Sequence, residues 1–334
     1  MADVARARRQ GVSLASSASH PPAPLPRPVT DLRSSPPPRT ASDPPVPAPP
    51  AAVPAPRRER TPLIVRLYSG ASSAWIRAGL LLQALFEGTW LGLLRRDDLH
   101  RVDERFYDRN APYHSDAHNL RGLLPWEETA LAEGFAPGGR LLVLGAGGGR
   151  EVLALSRRGY DVVGYECNPA LVAFADGFLP RQGCGGRVHH LPRDAAPPAP
   201  AEPFDGIILG WGAYMLIPGR AHRIDLLRRL RPMVRPGGPI LLSFFTRGAD
   251  GPRVRISAAV ANAIRAVLRR ERIERGDALS PNFVHYFTSR EIGAELREAG
   301  WEPKRYTAHG SGARDSGWAI GVAPDAAAEH AQTS

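Results

Sequence analysis

Large apolar residues are nearly absent from the first sixty positions of this chain and become dense from Pro62 onward. Residues 1–61 are dominated by Pro, Ala, Ser and Arg, with proline runs at Pro21-Pro22, Pro36 to Pro38 and Pro44-Pro45. Such a segment has too little to bury to offset the entropy of ordering it, so it is expected to be a disordered, partly polyproline-II tail. From Pro62 to about Glu133 the pattern is helical. Ala78 to Leu94 carries Leu80, Leu81, Leu82, Leu85, Phe86, Trp90, Leu91 and Leu94, interrupted by Gln83, Glu87 and Gly88. This stretch is too short to cross a bilayer comfortably. A membrane-surface helix is one reading; a helix roofing the site is the one adopted.

The pattern then changes to short apolar runs alternating with helical spacing. Leu141 to Leu144 is all apolar, as in a parallel strand covered on both faces. Arg150 to Arg158 places Val152, Leu153 and Leu155 at helical spacing and stops at Gly159, and Asp161 to Tyr165 supplies a second strand. Asn168-Pro169 opens a helix over Ala170 to Leu179. Val188 to Leu191 reads as strand three and Phe204 to Gly210 as strand four. Asp225 to Val234 is an amphipathic helix, Arg235 to Gly238 a turn and Pro239 to Phe245 strand five. Ile256 to Ile273 reads as a basic helix covering a ligand pocket. Thr288 and Glu291 have capping-box spacing for a helix ending at Gly300. Trp301 to Tyr306 and Trp318 to Val322 read as two final strands. The division expected is a tail over 1–61, a helical cap or lid over 62–136, an α/β domain over 137–324 and a second disordered tail over 325–334.

Between strands one and two lies the chemistry. Gly145, Gly147, Gly148 and Gly149 follow the first strand at once, and Glu166 stands at the carboxyl end of the second. Glycines let backbone turn tightly and let a ligand approach closer than a Cβ permits. A carboxylate about 20 residues after the first glycine sits where a ribose diol can donate to it, so the ligand expected is an adenosine compound. The dinucleotide fingerprint needs a third glycine at position 150, which is Arg150. The spacing is G-x-G-x-G instead.

That string, LGAGGGREVLALSRRGYDVVGYECNP, resembles the first motif of the class I S-adenosylmethionine (SAM)-dependent methyltransferases, within them most of all the small-molecule branch related to thiopurine methyltransferases. It departs in Ala146, where many members carry Cys, and in Glu166, where many carry Asp. Arg235-Pro236-Gly237-Gly238 and the strand after it resemble the same turn in the superfamily. The resemblance implies a doubly wound, Rossmann-like sheet of seven strands, order 3-2-1-4-5-7-6 with the last strand antiparallel, behind a helical N-terminal cap. It implies SAM as cofactor, held by Gly145, Ala146, Gly147, Gly149, Glu166 and Cys167, with Asp194 and Ala195 after strand three at the adenine. Tyr107 and Tyr113, in a YDRNAPY segment similar to one that folds over SAM in such enzymes, are the lid residues. Trp211 and Tyr214 after strand four are wall residues, Trp211 on the cofactor side. Glu166 is expected as a rim carboxylate contributing little to stability.

Composition narrows the partners. The net charge of +10 raises nucleic acid as a partner. Roughly half of that excess lies in residues 1–61, and the basic residues are almost all Arg, Lys304 being the exception, which argues for a GC-rich genome rather than a phosphate-binding face. The N-P-P-Y motif of base-modifying enzymes is missing after strand four, so a small-molecule acceptor methylated at O or N is favoured over DNA. Cys167 and Cys184 offer neither a disulfide framework nor metal spacing, and a cytoplasmic setting is the default. His114 and His118 are four apart without a third ligand, so no metal is expected. His114, His222, His285 and His309 are candidate bases by residue type alone, and none is nominated. The rival readings are a nicotinamide-dependent oxidoreductase and a SAM-binding regulator without catalysis. Removing residues 1–60 is expected to leave melting temperature and SAM affinity nearly unchanged, since the segment has no apolar face to bury; a large fall on calorimetry would contradict it.

Overall fold

The computed structural model describes residues 62–193, 195–248, 250–279, 281–309 and 316–324. The two expected tails and Asp194 therefore lie outside the described residues. The elements run α1 (Leu63–Leu93), α2 (Arg96–Arg109), α3 (Asp116–Asn119), α4 (Pro125–Gly134), β1 (Arg140–Leu144), α5 (Arg150–Ser156), β2 (Asp161–Glu166), α6 (Pro169–Arg181), β3 (Arg187–His190) and β4 (Gly206–Leu209). There follow α7 (Arg220–Leu230), β5 (Pro239–Thr246), α8 (Pro252–Val267), β6 (Asp277–Leu279), β7 (Phe283–Phe287), α9 (Ser289–Glu298), β8 (Glu302–His309) and β9 (Ser316–Val322).

Strands β3, β2, β1, β4 and β5 pair in parallel in that spatial order, and β9 runs antiparallel between β5 and β8. This is the expected 3-2-1-4-5-7-6 arrangement, with β8 and β9 as its sixth and seventh strands. The sheet also carries a short pair that the sequence analysis had not singled out. β7 extends the C-terminal end of β5, pairing Phe245 with Tyr286, and folds back on β6.

Alternation along the strands builds a core on each face of the sheet. Leu142 and Leu144 of β1 join Ile207, Ile240, Leu242 and Phe244 under α7 and α9. Leu141 and Val143 point to the other side, with Ile208 and Leu241 under α4, α5 and α6. Both faces being covered explains why β1 and β4 read as unbroken apolar runs. The Thr288 capping box forms as its spacing implied, Oγ1 accepting from the Glu291 backbone N–H at 3.3 Å.

Two helices depart from expectation. α1 begins at Leu63, where the helical pattern was expected to begin, but it roofs no site. Its C-terminal third packs on α8 instead, through Ala84, Gly88, Leu91 and Gly92. A Cβ on Gly88 would lie 2.6 Å from the Ser257 carbonyl oxygen, so glycine is what lets the two helices approach. Glu87, buried at this contact, accepts from Arg253 at 3.0 Å and from the Leu279 backbone at 3.0 Å. α8 is thereby occupied by α1 rather than by a ligand pocket.

Behind the end of β4, Arg223 is fully buried and donates to Glu295 at 2.7 Å and Glu274 at 2.9 Å. The Tyr214 hydroxyl donates to the same Glu295 at 2.5 Å. This network holds the turn that follows β4. Tyr214 is thus a core residue and not the wall residue expected from its position. Arg223→Ala strands a buried carboxylate, which costs about 3–5 kcal/mol. At about 2–4 °C per kcal/mol for a domain of this size, calorimetry should show a melting temperature roughly 10 °C lower. A variant melting within a degree or two of the parent would show that the network does not anchor this face.

Candidate functional site

The glycine turn is built by backbone geometry. Gly145, Gly147 and Gly149 all have positive φ, at 71°, 54° and 97°. The alternation of G-x-G-x-G is thus the alternation of left-handed backbone that β-carbon-bearing residues adopt at a cost. The Gly145 and Ala146 N–H groups both donate to the Tyr165 carbonyl, at 2.8 and 3.0 Å, so the turn is fastened to the end of β2. A Cβ built on Gly147 would meet no protein atom within 4 Å, and its backbone opens into a cavity. Gly149 caps α5, packed so that a Cβ would lie 3.1 Å from Leu179.

Glu166 is buried, correcting the expectation of a rim carboxylate that contributes little to stability. Its Oε2 accepts from the Gly147 N–H at 2.9 Å and its Oε1 from the Asn168 N–H at 2.8 Å. One side chain therefore joins the glycine turn to the start of α6. Asn168 continues the connection: its Oδ1 accepts from the Leu171 N–H at 3.0 Å, and its amide donates to Asp108 on α2 at 2.9 Å.

The cavity at this junction has a volume of about 760 Å³. Of the residues singled out in the sequence, Gly145, Ala146, Gly147, Glu166, Cys167, Ala195, Trp211, Tyr107 and Tyr113 all line it. Gly149 lies behind it, in the helix cap. Tyr107 at the end of α2 and Tyr113 in the turn after it meet edge to face, ring centroids 5.2 Å apart. Burial, then the neighbouring Asp103, push the Tyr107 phenol well above its ordinary range. Burial, then Glu166, push the Cys167 thiol up to about 12, so it is a protonated wall and not a nucleophile. Of the candidate bases, His222 lines the cavity, as does His118, whose pKa is lowered by burial and by the Arg150 charge. His114 is turned to the Tyr107 carbonyl at 3.0 Å, and His285 is buried on β7 against Asp277 at 2.6 Å. The side chain of His309 lies outside the described residues.

Three groups missed in the sequence shape the site. Arg150 is buried and forks onto Glu127 of α4 at 2.6 and 2.7 Å while donating to Glu151 at 2.5 Å. Burial opposes its charge, but the two carboxylates outweigh that and hold the guanidinium above its usual range. Glu151 also accepts from the Trp211 N–H at 3.3 Å, so the residue that excluded the dinucleotide fingerprint fixes the far wall as well. Asp103 on α2 bonds Arg193 after β3 and Asn282, which accounts for a buried carboxylate on the lid helix. Asn119 donates to the Tyr113 and Ser115 carbonyls at 3.0 and 2.9 Å, holding the lid turn over Gly148. Arg150 meets Glu127 and Asp103 meets Arg193 and Asn282 across long stretches of chain, so neither pairing carries a sequence signal. Away from the cavity, Glu274, Asp277 and His285 bring donor atoms within 4.8 Å of one another, but hydrogen bonds with Arg223 and among themselves already engage them.

Glu166→Ala removes two charge-assisted hydrogen bonds from a buried turn. It is expected to lower stability by about 2–4 kcal/mol, measured by chemical denaturation; an unchanged midpoint would mean that the turn is held without it.

The methyltransferase domain model matches residues 116–305 of the chain. No curated protein matches it in sequence. Among solved structures, a SAM-dependent methyltransferase from Methanosarcina mazei is similar at 16% identity and a TM-score of 0.49, over 61% of this chain and 99% of the other. The 1,6-didemethyltoxoflavin-N1-methyltransferase of Burkholderia thailandensis, with bound 1,6-didemethyltoxoflavin and S-adenosylhomocysteine, is similar at 17% identity and a TM-score of 0.47, over 70% and 92%. The CcbJ methyltransferase of Streptomyces caelestis is similar at 15% identity and a TM-score of 0.45, over 62% and 92%. With its match spanning more than half of the sequence, the chain belongs to the methyltransferase domain family, of the class I SAM-dependent type that its glycine turn resembles.

Proposed function

We propose that this protein transfers the methyl group of SAM to an oxygen or nitrogen atom of a small-molecule acceptor, with cofactor and acceptor both held in the cavity beside the glycine turn. The observation that carries this reading is the open backbone of Gly147 next to the Glu166 carboxylate. The cradle there would be filled by any Cβ, and it leads into about 760 Å³ of space. Ligand sites typically occupy about 300–1,000 Å³, so this one has room for two molecules of moderate size.

Each residue has a part consistent with its position. A carboxylate offers about four lone-pair directions. Glu166 spends one on each of two N–H groups and keeps others for the ribose hydroxyls. Gly145, Ala146 and Gly147 give the cofactor a floor, Cys167 and Ala195 flank it, and Tyr107 and Tyr113 cover it. Asp194, beside Ala195, has the polar side chain that the resemblance puts at the adenine. Trp211 offers an aromatic face to a cation and to a planar acceptor. When bound, SAM supplies an already electrophilic methyl on its sulfonium. What the chain must do is align the acceptor and exclude water. His118 and His222 are the imidazoles that line the cavity among the described residues, available to take a proton from an acceptor that carries one.

Calorimetry is expected to show binding of SAM and S-adenosylhomocysteine with little affinity for NAD or NADP; tight NADP binding without SAM would overturn the proposal. Gly147→Val should abolish SAM binding while the fold survives on circular dichroism, because the added side chain enters the ligand's path.

A further inference from the structure

α1 is 31 residues long, and the stretch from Pro62 to Gln83 is exposed apart from the half-buried Ser72. Its exposed apolar residues include Leu63, Val65, Leu67, Ile76, Leu80 and Leu81, and among the rest one regular series runs the length of the exposed stretch. Ile64, Tyr68, Ala71, Trp75, Ala78, Leu82 and Leu85 recur at alternating spacings of four and three, a heptad seam. The seam lies on the side of the helix turned away from α8, because Ala84, Glu87, Gly88 and Leu91 occupy the opposite side. Ile64 and Tyr68 are each 72% exposed, Trp75 81% and Leu82 67%. Side chains of this kind are rarely left in water as a continuous stripe.

We propose that the stripe is a self-association surface on which the α1 helices of two chains pair antiparallel. The sequence of the seam selects this occupant. Large and small residues alternate along it, with Tyr68, Trp75 and Leu82 on one line and Ala71 and Ala78 on the other. Antiparallel pairing of two identical helices sets one line against the other. With Trp75 placed on Ala78 of the second copy, Leu82 falls on Ala71 of the second copy and Tyr68 on Leu85 of the second copy. Each bulky group meets a smaller one or an aliphatic one, and the two-fold axis repeats every contact. Parallel pairing would instead stack Trp75 on Trp75 and leave Ala71 facing Ala71. The arginines of this stretch, Arg66 and Arg77, fall outside the seam, so pairing buries no charge.

Size supports the same conclusion. Buried aromatic side chains contribute about 150–250 Å² each, so the two tyrosines and two tryptophans alone supply on the order of 600 Å². The aliphatic positions carry the total past the roughly 1,000 Å² that a specific interface needs. The α8 contacts of the two copies would lie about 35 Å apart along the pair, at 1.5 Å per residue, so the two α/β bodies do not compete for space. A lipid surface is the rival occupant. It would take up exposed apolar residues such as Leu67, Ile76 and Leu80 as readily as those of the seam and so makes no use of the large–small alternation, and the exposed stretch offers only two cations to anionic headgroups.

Sedimentation velocity of the full chain at micromolar concentration should show a dimer. Trp75→Glu/Leu82→Glu should dissociate it, weakening association on the order of 100-fold or more, since pairing would bury four unpaired carboxylates, while the melting temperature of the monomer stays that of a folded protein. Register is tested separately. Oxidising a mixture of Ala71→Cys and Leu82→Cys chains should give the mixed disulfide, with neither variant alone cross-linking through the introduced cysteine. A monomeric parent overturns the proposal, as does a dimer that survives the double substitution. Efficient cross-linking of Ala71→Cys to itself overturns the antiparallel register. Flotation of a monomeric parent with phosphatidylserine vesicles would assign the stripe to lipid instead.

Discussion

Two hydrogen bonds to one carboxylate hold the working end of this sheet together. Glu166 ends β2, and its two oxygens take the N–H groups of Gly147 and Asn168. The first bond fixes a turn whose left-handed glycines have no side chains to lock them. The second sets the first turn of α6, and through Asn168 and Asp108 it reaches the lid helix α2. A carboxylate in this position must be buried to do this, and being buried it needs both bonds. The same atoms that shape the turn thus also present the remaining lone pairs to whatever enters the cavity.

Around that point the chain uses arginine as a structural clamp. Arg150 binds α4 to α5 and shares Glu151 with the backbone of Trp211; Arg193 ties the loop after β3 to Asp103 of the lid; Arg223 anchors the turn after β4 through Glu295. A planar guanidinium with five donors in a fixed fork can grip one carboxylate with two nitrogens, as Arg150 does Glu127, and still reach a second acceptor, a geometry a lysine ammonium does not offer. The preference for arginine, which composition alone attributes to genome bias, therefore has structural uses at these buried positions.

The helical region before the sheet divides by role. α2, the turn after it and α3 supply the cavity's cover, with Tyr107, Tyr113 and Asn119 as its contacts. α1 belongs elsewhere, lying on α8 through Ala84, Gly88, Leu91 and Gly92 and leaving most of its large apolar residues exposed. Dense apolar composition made α1 look like a roof.

The sequence by itself determined most of the strands and the glycine turn, because these depend on local rules; their order followed from the resemblance of the first motif to a known family. Period-two alternation, unbroken apolar runs and positive-φ glycines are written in consecutive residues and survive without knowledge of the rest. It also placed Gly145, Ala146, Gly147, Glu166, Cys167 and Trp211 around one cavity, since βαβ connections force the ends of β1, β2 and β4 onto one rim. What only the tertiary structure decided are the long-range partners: that Glu166 is buried, that Arg150 faces Glu127, that Asp103 receives Arg193, and that α8 is covered by α1. The short β6–β7 pair belongs with these, since β7 forms by extending the edge that β5 offers. A side chain's burial and partner depend on residues tens to nearly two hundred positions away, and no local pattern carries that information.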